Sequence, residues 1–233
     1  MTRKQVAVPI LLPPRHEGEL YRNGSGFLSR IQGVEYLITA AHGPANSNPP
    51  HHDWEAWRTD LEIHDSRKTL SLPLFEETEG GAPVPKFGFS YTTPAGARLH
   101  DLIHIDLTRL ATEDQILLRS RYQVFETAVG IPGTGAGVTC FGYPDVGEYW
   151  PASEPSSVCG TVLATEGPGI LMDMDSATGY SGGPVLDNDN RLVGMKIGFK
   201  SGDKPPTVAY SSQVIIDMVQ WFLMMGSSPP QRL

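Results

Sequence analysis

Gly179-Tyr180-Ser181-Gly182-Gly183-Pro184 sets a serine among residues small and flexible enough to form a tight, exposed turn. Glycine reaches backbone conformations closed to other residues. Consecutive amides around Ser181 can therefore converge on one point and cradle a negatively charged oxygen. A serine hydroxyl is a weak nucleophile until a base takes its proton, so such a turn calls for a histidine elsewhere. Tyr36-Leu37-Ile38-Thr39-Ala40-Ala41-His42 supplies one, an apolar run of strand type ending on a histidine among small residues. That base in turn needs a buried acceptor to fix its tautomer and stabilise its protonated form. Asp101-Leu102-Ile103-His104-Ile105-Asp106-Leu107 offers two carboxylates. Asp101 is preferred because it precedes the strand, where a loop-borne carboxylate can reach His42; Asp106 is the rival.

Taken in order, the three segments resemble the signatures of the chymotrypsin-like (trypsin-like) serine peptidases. Gly24-Ser25-Gly26-Phe27-Leu28 resembles the segment that precedes the histidine strand in that family. The spacing of His42, Asp101 and Ser181 is compatible with one double-barrel domain. The resemblance implies an all-β fold, a double six-stranded antiparallel β-barrel with a C-terminal α-helix. An N-terminal barrel over roughly 1–115 would carry the histidine and the acid, and a C-terminal barrel over 116–233 the serine. It also implies that the backbone N–H groups of Gly179 and Ser181 form the oxyanion hole. The implied chemistry is peptide-bond hydrolysis with a polypeptide substrate and no metal or other cofactor.

Composition agrees. The 233 residues suffice for a sizeable core. Short apolar runs, Gln5–Leu12, Gly26–Ile31, Glu35–Ala40, Leu102–Leu107, Val138–Gly142, Gly160–Ala164, Gly169–Met174 and Leu192–Ile197, are broken by frequent Gly and Pro. That punctuation suits an all-β barrel better than an α/β sheet. Helical spacing of Val214, Ile215, Met218, Trp221, Phe222 and Met225 predicts a helix over Ser212–Met225. Leu61–Pro94 reads as irregular, with an exposed acidic face at Glu76-Glu77-Thr78-Glu79, and Pro144–Ser157, with Tyr149 and Trp150, as a loop bordering the substrate cleft. His51-His52-Asp53 reads as a solvated loop rather than a metal site.

A net charge of −8 speaks against a nucleic-acid surface, and no apolar run is long enough to span a membrane. The segment Gln5–Pro14 lacks the features of a secretory signal. Two cysteines cannot build the disulfide framework of secreted relatives, so an intracellular, cytoplasmic protein is expected. Cys140 and Cys159 fall on strands that pair in the family's second barrel and are expected to be reduced.

The chain departs from the family in two places. Tyr180 stands where digestive and clotting members carry the Asp that captures a newly cleaved N-terminus, so activation by that route is excluded. The site is then either preformed or ordered by a regulatory protein partner or a ligand. The specificity pocket is ambiguous. Asp175, at the spacing that selects Arg or Lys in trypsin, is placed at the pocket base, with Thr178 beside it. Lys196 falls on the pocket-wall strand, with Ile197, Gly198 and Phe199 lining the cleft. If both charges face inward they pair and cancel; if Lys196 alone does, an acidic residue is preferred; if neither does, the site is largely apolar. The working expectation has Asp175 facing the pocket and Lys196 pointing away. An esterase on the α/β-hydrolase fold would need its histidine after the serine, and no histidine follows Ser181. The alternative from another class is a binding module on a peptidase fold whose catalysis has lapsed.

Overall fold

The computed structural model describes residues 3–12, 22–43, 51–53, 58–60, 67–72, 78–79, 82–83, 87–92, 101–127, 130–144, 154–200, 203–224 and 231–232. Its architecture is chymotrypsin-like, two bodies of antiparallel strands with the site residues at the ends of strands from both.

In the first body the strands run Ile103–Asp106, Val34–Thr39, Arg22–Ile31, Val8–Leu12, Arg67–Leu72, Phe87–Thr92 and Gln231–Arg232 across one sheet. Val124–Glu126 adds in parallel to Arg22–Ile31. The hairpin between Arg22–Ile31 and Val34–Thr39 closes on Gln32 and Gly33, both at positive φ (50° and 81°), with Ile31 paired to Val34. A two-residue loop with that handedness matches the right-handed twist of its strands. Beyond it, strand alternation serves two cores. Leu37 packs with Val8, Ile10, Leu28 and Ile105, while Tyr36 and Ile38 pack with Phe27, Met195 and Tyr210 from the other side. Glu35, 7% exposed, is held by Arg30 at 2.7 Å and Arg119 at 2.6 Å, which is how a carboxylate is tolerated on a buried strand.

The second body is a closed barrel of Gly137–Gly142, Ser156–Glu166, Gly169–Asp173, Thr207–Ser211, Leu192–Phe199 and Pro184–Asp187. The terminal helix, Ser212–Met224, buries Ile215, Met218 and Val219 against the core shared by the two bodies. Among the described residues no helix is long and apolar enough to cross a membrane.

Several expectations are corrected. A second helix, Thr112–Arg121, joins the two bodies. It escapes sequence reading because only Asp114 and Leu118 are buried on it, too few to print an apolar stripe. Leu61–Pro94, read as irregular, contains the paired strands Arg67–Leu72 and Phe87–Thr92. His51–Asp53, read as a loop, pairs with Arg58–Asp60 in a short hairpin. The exposure expected of the acidic run and the cleft position expected of Tyr149 and Trp150 lie outside the described residues. Cys140 and Cys159 sit on paired strands, as expected, but are neighbours of each other's partners, Thr139 opposite Cys159 and Cys140 opposite Val158. One thiol is buried and one exposed, and both are free.

Candidate active site

Strand register builds the histidine–acid pair. Ile103 lies opposite Thr39 and Asp106 opposite Tyr36, so continuing the ladder sets Asp101 opposite Ala41, one residue from His42. Asp101 is fully buried, and its carboxylate accepts the His42 backbone N–H at 2.7 Å and faces His42 Nδ1 at 2.6 Å. The imidazole, 15% exposed, is thus held at its Nδ1 edge. Asp106 is occupied elsewhere. It caps the short helical turn Leu107–Arg109 through the Thr108 N–H at 2.9 Å and pairs with Arg109.

The serine turn is held by both bodies. Ser25, on a first-body strand, donates its hydroxyl to the Gly179 carbonyl at 2.6 Å and its N–H to the Ser181 carbonyl at 3.1 Å. Thr39 Oγ1 donates to the Ser25 carbonyl at 2.6 Å, which ties the histidine strand into the same network. From the barrel side, the Gly182 N–H bonds the Lys196 carbonyl at 2.8 Å and the Lys196 N–H bonds the Gly183 carbonyl at 3.0 Å. Gly182, at φ 86°, has no room for a side chain, since a Cβ there would stand 2.1 Å from the Ser25 carbonyl. Gly179, at φ 96°, is the third residue of the turn from Ala177 to Tyr180. A positive φ at that position is the type II form, the opposite peptide orientation from type I. Tyr180 is buried among Val138, Cys140, Met172 and Val185 in the barrel core. The residue that could have carried an ionic latch is instead an apolar anchor for the turn.

His42, Thr178, Gly179 and Ser181 line one small cavity of about 40 Å³, with Leu12 and Asn23 on its first-body side. The residues expected around the specificity pocket divide. Asp175 is exposed. Ile197 is 1% exposed and packs into the shared core, so it lines no cleft. Gly198 is buried, and Phe199 is 36% exposed. Lys196 does not point away. It is 1% exposed, and its ammonium donates to Ser181 Oγ at 3.2 Å while lying 4.4 Å from the centre of the Phe199 ring. Burial pushes its pKa down to about 8, partly offset by Cys140 and Asp101. The strand carrying it has a register shift between Lys196 and Gly198. Lys196 itself keeps the regular register, opposite Ala209, and the bulge falls after it at Ile197. Ser25 and the Lys196–Ser181 contact are the features that sequence reasoning missed. The Gly24–Leu28 segment was the available signal for Ser25, and the place of Lys196 on the pocket-wall strand was the signal for the lysine.

Solved structures share this fold. A serine endoprotease from Yersinia pestis superposes with a TM-score of 0.56 at 15% identity, covering 95% of this chain and 64% of that one. The HtrA-type protease AlgW, solved with a tripeptide, gives 0.55 at 17%, covering 95% and 61%. The MamO protease domain from Magnetospirillum magneticum gives 0.51 at 19%, covering 91% and 94%. The chain thus spans under two thirds of the length of the Yersinia and AlgW proteins. At these identities the likeness is one of fold. No curated protein sequence matches the chain. Residues 24–195, which run from the Ser25 strand through Ser181 to the edge of Lys196, match the trypsin-like peptidase domain, and the chain belongs to that family.

Proposed function

We propose that the protein is a serine endopeptidase in which Ser181 is the nucleophile, His42 the general base and Asp101 the group that orients it. The observation that carries this reading is the buried Asp101 carboxylate 2.6 Å from His42 Nδ1, on an imidazole that shares one cavity with Ser181. In the reaction His42 Nε2 takes the Ser181 proton as Oγ attacks a peptide carbonyl. The tetrahedral oxyanion is received by the N–H groups of Gly179 and Ser181, and His42 then returns the proton to the leaving amine. Water attacks the resulting acyl-enzyme by the same route in reverse. The positive φ of Gly179 and the Ser25 bond to its carbonyl favour a hole that is formed before substrate arrives. Activation by cleavage at the N-terminus plays no part, because Tyr180 is committed to the barrel core and has no carboxylate to offer.

A fluorophosphonate probe tests the reading. Labelling confined to Ser181, lost in Ser181→Ala and in His42→Ala, together with cleavage of a peptide library, is the expected result. Peptide binding by a protein whose Ser181 resists the probe under every condition would instead make it a binding module on this fold.

A further inference from the structure

Lys196 is an unusual group to find where it is. A lysine 1% exposed to solvent normally has a carboxylate against it, because burying an ammonium without a counter-charge is costly. Among the described residues no carboxylate comes within ion-pair distance of this one. Its neighbours are a neutral hydroxyl, Ser181 Oγ at 3.2 Å, and the Phe199 ring, centred 4.4 Å away. Asp101 contributes a favourable field, but its oxygens are engaged by the His42 N–H and Nδ1. Asp175, six residues before Ser181, is exposed and outside the contact. The ammonium is not free to leave by backbone movement either. The Lys196 peptide is bonded on both sides to Gly182 and Gly183, the residues directly after the nucleophile.

A fixed, desolvated cation beside the nucleophile is a receptor lacking its anion. The part of a substrate that must come within a few bonds of Ser181 Oγ is the residue whose carbonyl is attacked, so its side chain is the group best placed to supply that anion. We propose that Lys196 selects substrates with Asp or Glu at the residue whose carbonyl is attacked, and that its ammonium rests on Ser181 Oγ until the substrate carboxylate draws it away. The inference rests on the peptidase reading above and names the substrate class for it. It reverses the expectation of Arg or Lys selection from Asp175. In the resting protein Ser181 Oγ is the hydrogen-bond acceptor of an ammonium, an arrangement that lowers its nucleophilicity. An arriving carboxylate offers that ammonium a charged partner instead, leaving the hydroxyl to His42. Acid recognition should therefore appear in kcat as well as in KM.

The test uses fluorogenic peptidyl amides with blocked N-termini that differ only in the cleaved residue, Glu, Asp, Gln, Leu or Arg. We expect kcat/KM for Glu or Asp to exceed that for Gln by at least about tenfold, because the uncharged isostere leaves the ammonium unmatched. Lys196→Met should abolish that ratio, and Lys196→Arg should keep part of it. Binding of the same peptides to Ser181→Ala, measured without chemistry, should show the same order. Fluorophosphonate labelling of Ser181 separates the two failures. Normal labelling with equal rates for Glu and Gln, or with preference for Arg, overturns the lysine assignment and leaves the peptidase reading standing. Absent labelling sinks the peptidase reading, and the Ser181→Ala binding order then decides the lysine alone. Preference for a free terminal carboxylate over a Glu side chain would also overturn the proposal, by assigning Lys196 to the chain end.

Discussion

The Ser25 hydroxyl donates to the Gly179 carbonyl across the junction of the two strand bodies, at 2.6 Å and out of reach of solvent. The same oxygen accepts the Tyr143 N–H at 2.9 Å, so a single side chain of the first body fixes two backbone segments of the second. The conformation of the proposed oxyanion turn is thereby made a property of the interface and not of the turn alone.

Ser25→Ala should loosen that interface. It strands a buried carbonyl and a buried N–H, each worth about 1–3 kcal/mol when left unsatisfied. Chemical denaturation should show a loss of about 2–6 kcal/mol for the two together. If Gly179 depends on the bond for its orientation, kcat should fall while KM for a cleaved peptide changes little. An unchanged kcat in a destabilised variant would show that the turn holds itself.

Two glycines at positive φ should respond very differently to alanine. Gly33, at φ 81°, has open space where a Cβ would go, so Gly33→Ala should cost only the conformational penalty of about 1–2 kcal/mol. Gly182, at φ 86°, would drive its Cβ to 2.1 Å from the Ser25 carbonyl and 2.5 Å from Thr39 Oγ1. Gly182→Ala should therefore fail to fold or lose all labelling of Ser181. Comparable thermal stability of the two variants would contradict the tight approach.

The two candidate acids should separate cleanly. Asp101→Asn leaves shape intact but presents the wrong hydrogen-bonding edge to His42, and turnover should drop by about four orders of magnitude. Asp106→Asn keeps an acceptor for the cap on Leu107–Arg109 and removes only the charge paired with Arg109, so stability should change by less than about 1 kcal/mol, with hydrolysis retained. Steady-state assays of both variants decide it.

Lys196 should leave a signature in stability against pH. Its pKa falls from 10.5 in the unfolded chain to about 8 in the fold. Below about 8 both states carry the proton, and the full cost of the buried cation is present, about 3 kcal/mol. Between about 8 and 10.5 the unfolded chain binds more protons than the native one, so this group makes stability rise with pH. Cys140, whose thiol burial pushes up to about 12, acts in the opposite direction at alkaline pH, as do the buried tyrosines. Comparing the wild type with Lys196→Met cancels those shared contributions. The variant should be the more stable of the two at pH 7, with the gap narrowing toward pH 10. A gap independent of pH would mean that the lysine is neutral throughout or solvated in the native state.

The sequence by itself determined the chemistry-bearing residues whose identity is local. Ser181 between glycines, His42 at the end of an apolar strand and Asp101 ahead of the next strand each announce themselves through residue type and immediate neighbours. Strand alternation likewise announced the barrel strands around the site, because half-buried strands print their period in the sequence. The tertiary structure decided what depends on register and on partners distant in the chain. Asp101 was separated from Asp106 by pairing with Val34–Thr39, which places only the former beside His42. Ser25 gained its role through a bond to a residue 154 positions away. Lys196 keeps regular register opposite Ala209, and it meets Ser181 because the backbone of Gly182 and Gly183 is bonded to its own peptide. No periodicity in the sequence records that contact, since it depends on where the serine turn docks against a strand distant from it in the chain.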